Sequence, residues 1–398
     1  MEIVIFRKNE ISEKLFENEV LYITDKLNTK DSKYTKDSKY GNYMDLDATK
    51  ARLDLLDKKD EKTRRAAAKY LHEHELVKVL CKKQVISRAY FKLYEMIYFE
   101  PFIQNEKLDC FFICEAPGGF IECVTDIRRK KNLQTKYISI SKLDNSIKYG
   151  NYLDQESLLH GDVTEPSVIE STIQKTLRRF PDGLDLITAD GGFDIKIFVA
   201  QEMLSSKLLL CEIYLAICTQ KKDGCFIIKF FDMFSHNSVV YYLMLCSMYT
   251  YVKIIKPKSS RNCNSERYLI CYNFKGAYLK NQIRSIIENF ELNEHVCTKV
   301  FPHIKLPCLQ KLTTFNNILV YEQIKIIRES IKMVQSKSSY FQNLLLSIFM
   351  DRGPEINKVY TIVQYKHILG SRIKKCMDFL RLYGIHTHQF IGFDFKIN

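Results

Sequence analysis

The residues best suited to chemistry sit where short apolar runs end. Phe111-Phe112-Ile113-Cys114-Glu115-Ala116-Pro117-Gly118-Gly119-Phe120 joins an apolar run to a Gly-rich turn and then to a helix-forming stretch. Glycines let a ligand approach the backbone closely, and a helix start offers N–H groups to an anion. The turn is not a nucleoside-triphosphate loop, because Phe120 and Ile121 stand where a Lys and a Ser/Thr are needed. It also lacks the GxGxxG dinucleotide spacing. It therefore reads either as a cradle for another ligand or as a tight structural turn. Lys229 is a second signal, enclosed by Phe226, Ile227, Ile228, Phe230 and Phe231. A lysine there is costly unless it has an acidic partner or a lowered pKa, and both states suit catalysis. Asp190 closes a third apolar run, 184–189.

These residues need a frame that brings them together. From 110 to about 272, β-rich apolar runs at 110–114, 137–141, 184–189, 225–230, 251–255 and 268–272 alternate with helical stretches at 120–128, 167–179, 202–219 and 237–247. Alternation at this spacing predicts crossover connections, and so an α/β, Rossmann-like fold with a mostly parallel twisted sheet flanked by helices. In such a sheet ligands bind outside the carboxyl ends of the strands. That edge would carry the Gly turn, Asp190 and Lys229. Residues 47–80 have helical spacing, as two helices with one break. A short duplication, Lys30–Tyr34 and Lys36–Tyr40, marks 29–45 as a polar mobile arm, either RNA-touching or simply solvated. From Lys275 to the end, 18 Lys+Arg face 9 Asp+Glu in a helical pattern, a basic face for RNA or a solvated surface packed on the main domain. The expected division is an N-terminal mixed or helical extension (1–84), a central domain (85–275) and a basic helical extension (276–398).

Composition bounds the function. The 398 residues carry 60 Lys+Arg against 47 Asp+Glu, a net charge of +13, with 46% hydrophobic residues. Disorder and fibrous repeats are excluded for the bulk of the chain. The positive charge points to nucleic acid, an anionic membrane surface or mere colloidal solubility. The longest apolar runs, such as 208–218 and 239–248, span about ten residues where a membrane span needs about 20. The N-terminus lacks the long apolar segment of a secretory signal. Thirteen cysteines, without a CxxC pair, read as reduced core thiols in a cytosol-like compartment. His72 and His74 lie two apart on a helical pattern and make poor joint metal ligands; no metal site is expected. With no Trp among 24 Tyr and 25 Phe, any base stacking must use Tyr, Phe, His or Arg.

The strand–APGG–helix turn suits S-adenosyl-L-methionine, whose carboxylate can meet a helix start. Four segments together are similar to the FtsJ-type RNA ribose 2′-O-methyltransferases, most of all the cap-specific mRNA enzymes, including those of large cytoplasmic DNA viruses. They are Ser87-Arg88-Ala89-Tyr90-Phe91-Lys92-Leu93, Cys114–Phe120, Asp185-Leu186-Ile187-Thr188-Ala189-Asp190-Gly191-Gly192, and the segment 256–268 with its Lys258-Ser259-Ser260-Arg261 and Glu266-Arg267-Tyr268. The resemblance covers about 85–275.

The resemblance implies a catalytic tetrad of Lys92, Asp190, Lys229 and Glu266. It implies S-adenosyl-L-methionine as cofactor, near Glu115, Pro117, Gly118, Gly119 and Phe120, with Asp162 on the adenine amino group and Asp190 close by. Many family members carry an Asp where this chain has Phe112; Glu115 is the candidate to hold the methionine amino group instead. Lys258, Ser259, Ser260 and Arg261 are expected to touch RNA phosphate or ribose. A ribose hydroxyl is a weak acid and must be oriented and relieved of its proton. Lys229 would serve as the base or as a cation stabilising the forming alkoxide, tuned by the two carboxylates, with Lys92 completing the network. The expected activity is methylation of the first transcribed nucleotides of capped mRNA, cap 0 to cap 1. Ribosomal or other uncapped RNA, or an inactive RNA-binding scaffold of a capping complex, are the alternatives. Expected partners are the RNA 5′ end and other capping or transcription proteins, with no membrane; the expected location is cytoplasmic, in a host cytoplasm or virion for a viral chain, or nuclear.

Overall fold

The computed structural model describes residues 4–7, 44–54, 58–143, 148–150, 153–192, 201–290, 306–336, 339–350 and 366–387. The arm expected at 29–45 lies outside them, except for Met44 and Asp45, which begin a helix.

The strands are β1 (Val4–Arg7), β2 (Asp109–Ile113), β3 (Lys136–Ser141), β4 (Leu158–His160), β5 (Leu184–Ala189), β6 (Gln220–Phe230), β7 (Tyr249–Ile255) and β8 (Arg267–Phe274). They form one sheet in the order β1-β7-β8-β6-β5-β2-β3-β4. The five strands from β4 to β6 run parallel. Beyond β6, the strands β8, β7 and β1 pair antiparallel. The six strands expected from sequence are present, with ends moved by a few residues. The two additional strands, β1 and β4, are too short to give a period.

Every residue of β2 is buried, because helices cover both faces of the sheet. Strand alternation sends Phe111 and Ile113 into one core and Cys110 and Phe112 into the other. The helix Ser206–Thr219 is apolar around most of its circumference and almost wholly buried, sandwiched between the sheet and the outer helices Pro166–Arg179 and Lys280–Glu288. Among the described residues, the 47–80 region holds three helices, Met44–Asp54, Lys58–Leu71 and the single turn Val77–Leu80. The C-terminal helices Leu306–Gln335, Ser339–Met350 and Lys366–Leu382 place Phe315, Ile327, Leu344, Leu369 and Phe379 into the two cores. The basic extension therefore packs on the sheet, as does the N-terminal one through Leu46 and Ala67. The described cysteines are free, and most are buried.

Candidate active site

Four strand ends and one strand start meet along a single edge. β2, β3, β5 and β6 finish there, because they are parallel. β8 is antiparallel to β6, so it starts where β6 finishes: Lys229 pairs with Tyr268 and Phe230 with Arg267. Glu266, one residue ahead of β8, is thereby delivered to the edge that carries Lys229. Lys92 reaches it from the helix Ala89–Ile97.

The four tetrad residues form two linked ion pairs. Lys229 Nζ donates to the Asp190 carbonyl at 2.7 Å and lies 3.2 Å from Asp190 Oδ1. Lys92 Nζ donates to Glu266 Oε2 at 2.8 Å. Tyr268 OH donates to Asp190 Oδ1 at 2.8 Å, and Ser260 Oγ to Glu266 Oε1 at 2.7 Å. Burial works against the Lys229 ammonium, but the Asp190 and Glu266 carboxylates outweigh it and raise its pKa above the ordinary lysine value. Burial also opposes ionisation of Glu266, yet Lys92, Lys229 and Lys256 hold its carboxyl far below the usual range. Of the two states open to a lysine among apolar neighbours, Lys229 takes the paired, cationic one.

The Gly turn forms the adjoining wall. Gly118 has φ +110° and precedes the helix Gly119–Arg129; its N–H bonds the Glu115 carbonyl at 2.7 Å. A side chain at Gly119 would put its Cβ 2.2 Å from Ser87 Oγ. Pro117 follows a cis peptide, and its carbonyl accepts from Gly150 N. Glu115 is buried. Its Oε1 accepts from Phe120 N, so it caps the helix that follows, while Oε2 has no hydrogen-bond partner. Burial, then the Asp190 charge, push the Glu115 carboxyl well above its ordinary pKa. Phe120 is buried, with its ring 6.2 Å from that of Tyr268.

Two expectations look different in three dimensions. Asp162, just past β4, spends Oδ1 on Thr164 N and Oγ1 at 2.9 and 2.7 Å and Oδ2 on Lys142 Nζ at 2.8 Å. One oxygen is engaged in the turn ahead of the helix Pro166–Arg179 and the other by Lys142, just past β3. The segment expected to face RNA turns largely inward. Ser259 and Ser260 are buried. Ser259 N and Oγ donate to Glu95, and its carbonyl accepts from Arg88. Arg261 makes a two-point bond to Glu75 at 2.7 and 2.9 Å. Only Lys258 of the four is exposed. The physical reason is that a strand start must be tied down to hold Glu266 still, and this loop's polar side chains do that.

Sequence reasoning missed Glu212 and Lys256. Glu212 lies inside the apolar helix Ser206–Thr219, and its Oε1 accepts from Gly191 N at 3.1 Å. Burial pushes its carboxyl up to about 8, against the pull of Lys229. Its only sequence signal was one carboxylate in an otherwise apolar run. Lys256 Nζ donates to the Glu266 carbonyl at 2.6 Å and to Asn264; burial lowers its pKa to about 7, with Glu266 opposing.

Four charges thus converge beside a Gly turn at the carboxyl edge of the parallel strands. Residues 85–274 match the FtsJ-like methyltransferase family. This part of the chain is an FtsJ-like methyltransferase domain. Among curated relatives, a Trypanosoma cruzi cap-specific mRNA (nucleoside-2′-O-)-methyltransferase 1 is 32% identical over 174 residues, 41% of this chain and 47% of the relative. A Mus musculus cap-specific mRNA (nucleoside-2′-O-)-methyltransferase 2 is 27% identical over 296 residues, 68% and 38% respectively. The Homo sapiens methyltransferase 1 is 32% identical over 199 residues, 45% and 23%. The chain thus spans about half or less of the length of these relatives. A solved chain described as a ribosomal RNA methyltransferase, from Plasmodium falciparum, aligns over 48% of this chain and 99% of its own at 23% identity, with a TM-score of 0.39. That likeness is too slight to bear on the substrate.

Proposed function

We propose that this protein is an S-adenosylmethionine-dependent RNA ribose 2′-O-methyltransferase acting on the 5′ end of capped mRNA. The observation that carries the proposal is the meeting of Lys92, Asp190, Lys229 and Glu266 in two linked ion pairs, on the sheet edge that also carries the Gly turn. The names of the curated relatives support the capped substrate.

The residues around the turn fit the cofactor. Glu115 is a buried carboxyl with one oxygen unpartnered, and Ser87 Oγ beside Gly119 is likewise buried and unpartnered. A ligand ammonium is the partner that would let Glu115 ionise. Gly118 and Gly119, with Pro117 and Phe120, would hold the methionine end, and Asp162 the adenine end once exchange with Lys142 frees an oxygen. When bound, S-adenosylmethionine supplies a methyl group on a positively charged sulfur.

The chain's own contribution is electrostatic. Lys229 is cationic, so it has no free lone pair with which to withdraw a proton. It gives two N–H groups to Asp190 and keeps the third for a ribose oxygen. There it would orient the hydroxyl and stabilise the negative charge that develops on it, the hydroxyl proton passing to solvent water as the methyl group is transferred. Asp190 fixes the ammonium, and Glu266, gripped by Lys92 and Ser260, keeps it charged. The alternative of Lys229 as base is thus disfavoured. The test is methyl transfer to capped RNA followed by nuclease digestion and mass spectrometry. Methylation on the 2′-oxygen of the first transcribed nucleotide is expected; methylation of a base, or of internal riboses only, would overturn the proposal.

A further inference from the structure

A second set of buried charges lies behind the tetrad, on the opposite face of the sheet. Strand alternation puts Glu266 and Tyr268 on one side of β8 and Arg267 on the other. Arg267 is fully buried, and so nearly is Asp232, three residues beyond Lys229. Arg267 Nη2 lies 3.6 Å from Asp232 Oδ1, and Arg267 Nε donates to the Ser265 carbonyl at 3.2 Å. Two partners come from outside the matched segment. Lys50, in the helix Met44–Asp54, donates to Asp232 Oδ2 at 2.5 Å. Asn316, in the helix Leu306–Gln335, accepts from Arg267 Nη1 at 2.5 Å and donates to the Met233 carbonyl at 2.9 Å. The Phe315 ring lies 5.9 Å from the Arg267 guanidinium.

We infer that Lys50 and Asn316 are positioning residues for the Lys229–Glu266 edge, so that the two extensions complete the active site. Arg267 adjoins Glu266 and pairs in register with Phe230, the residue after Lys229. Asn316 bridges both chain segments at once, holding Arg267 with its oxygen and the segment after β6 with its nitrogen. Lys50 neutralises the carboxylate that Arg267 shares. Four buried polar groups from four segments fix one another, and a buried charge that loses its partner moves or draws in water. A displacement of about 1 Å at the reacting atoms is enough to cost roughly 10²-fold in rate.

The inference rests on the proposed methyl transfer, and its test uses the full chain. Lys50→Met, Lys50→Arg and Asn316→Ala would be compared with wild type for kcat, for KM of S-adenosylmethionine, and for melting temperature. At a temperature where each variant is folded, Lys50→Met and Asn316→Ala should lower kcat roughly tenfold or more. KM for S-adenosylmethionine should stay within about twofold, because the Gly turn lies on other strands, and Lys50→Arg should recover most of the rate. A lowered melting temperature with unchanged kcat would show a purely structural network and overturn the inference. A second readout is independent of activity: acetylation of Lys229 followed by mass spectrometry. Its reactivity should rise severalfold in Asn316→Ala and Lys50→Met, and an unchanged value would also overturn the inference. If Lys50→Met does not fold, Asn316→Ala and Lys50→Arg carry the same comparison. A wild type inert toward RNA would count against the proposed function, while the acetylation comparison still decides the inference.

Discussion

Replacing Asp190 by Asn keeps the shape of the site and removes one charge, 3.2 Å from Lys229 Nζ. At an effective dielectric of about 20, a unit pair at that separation is worth about 5 kcal/mol, much of it offset by the cost of burying both groups. The expected net loss of stability is about 3 kcal/mol, or roughly 4 °C in melting temperature for a chain of this size. The Asn side chain can still accept from Tyr268, and the Asp190 carbonyl still accepts from Lys229, so the turn itself should survive. The chemical effect is more telling. Lys229 has its pKa raised in the folded wild type, so its contribution is fully present below the ordinary lysine pKa and is lost only as pH rises through the higher, folded value. Without the Asp190 charge, burial is opposed mainly by Glu266, and that pKa falls. The variant should therefore lose activity on the alkaline side at a pH where the wild type is flat, on top of a fall in kcat of roughly 10²–10³-fold. The assay is kcat against pH from 6 to 10 on capped RNA. A profile of unchanged shape, merely scaled down, would refute the idea that Asp190 works by keeping Lys229 charged.

Other perturbations probe separate parts of the account. Glu212 stays protonated in the folded state up to about 8, while the unfolded chain ionises it near 4.5. Stability should then fall as pH rises through that interval, at up to about 1.4 kcal/mol per unit, and Glu212→Gln should flatten the slope; equal slopes in thermal unfolding at pH 5 to 8 would contradict this. Gly119→Ala should weaken S-adenosylmethionine binding by calorimetry, since its Cβ would land 2.2 Å from Ser87 Oγ, and adding Ser87→Ala should recover part of the loss; an unperturbed single variant would be inconsistent with the tight turn. Ser260→Ala removes a 2.7 Å hydrogen bond to Glu266 worth about 1 kcal/mol and should slow transfer severalfold with RNA affinity unchanged, whereas Lys258→Glu should weaken RNA binding without affecting folding. An RNA-binding loss in Ser260→Ala would restore the reading of this loop as an RNA contact.

The parallel half of the sheet was legible because apolar runs buried on both faces have a length and spacing of their own. The antiparallel half was not, since β7 and β8 have the same apolar character as the parallel strands and direction leaves no mark on composition. That direction matters: it is what carries Glu266 to Lys229. The lysine's state was half legible. An enclosed Lys229 announced that something compensates it, but whether by pairing or by a lowered pKa depended on distances. The inward ties of residues 259–261 were not legible because polar and basic side chains look alike whether they face solvent or tie down a loop; Glu75 and Glu95, which take up Arg261 and Ser259, are far away in sequence. Glu212 was hidden by the apolar run around it. Lys50 and Asn316 carry no local signal at all, because their meaning comes from Asp232 and Arg267 in other segments.

The central claim is that Lys229, held cationic by two carboxylates, supports methyl transfer to the ribose at the 5′ end of capped mRNA. It is tested most directly by transfer of labelled methyl from S-adenosylmethionine to three matched RNAs: capped with N7-methylguanine, capped without it, and bearing a 5′-triphosphate. Wild type and Lys229→Ala would be run side by side. The account predicts label on the first nucleotide of capped RNA, with Lys229→Ala reduced by at least about 10³-fold though folded and still binding S-adenosylmethionine. Equal transfer to the uncapped RNA would contradict the capped substrate, and a Lys229→Ala variant near wild-type rate would contradict the mechanism.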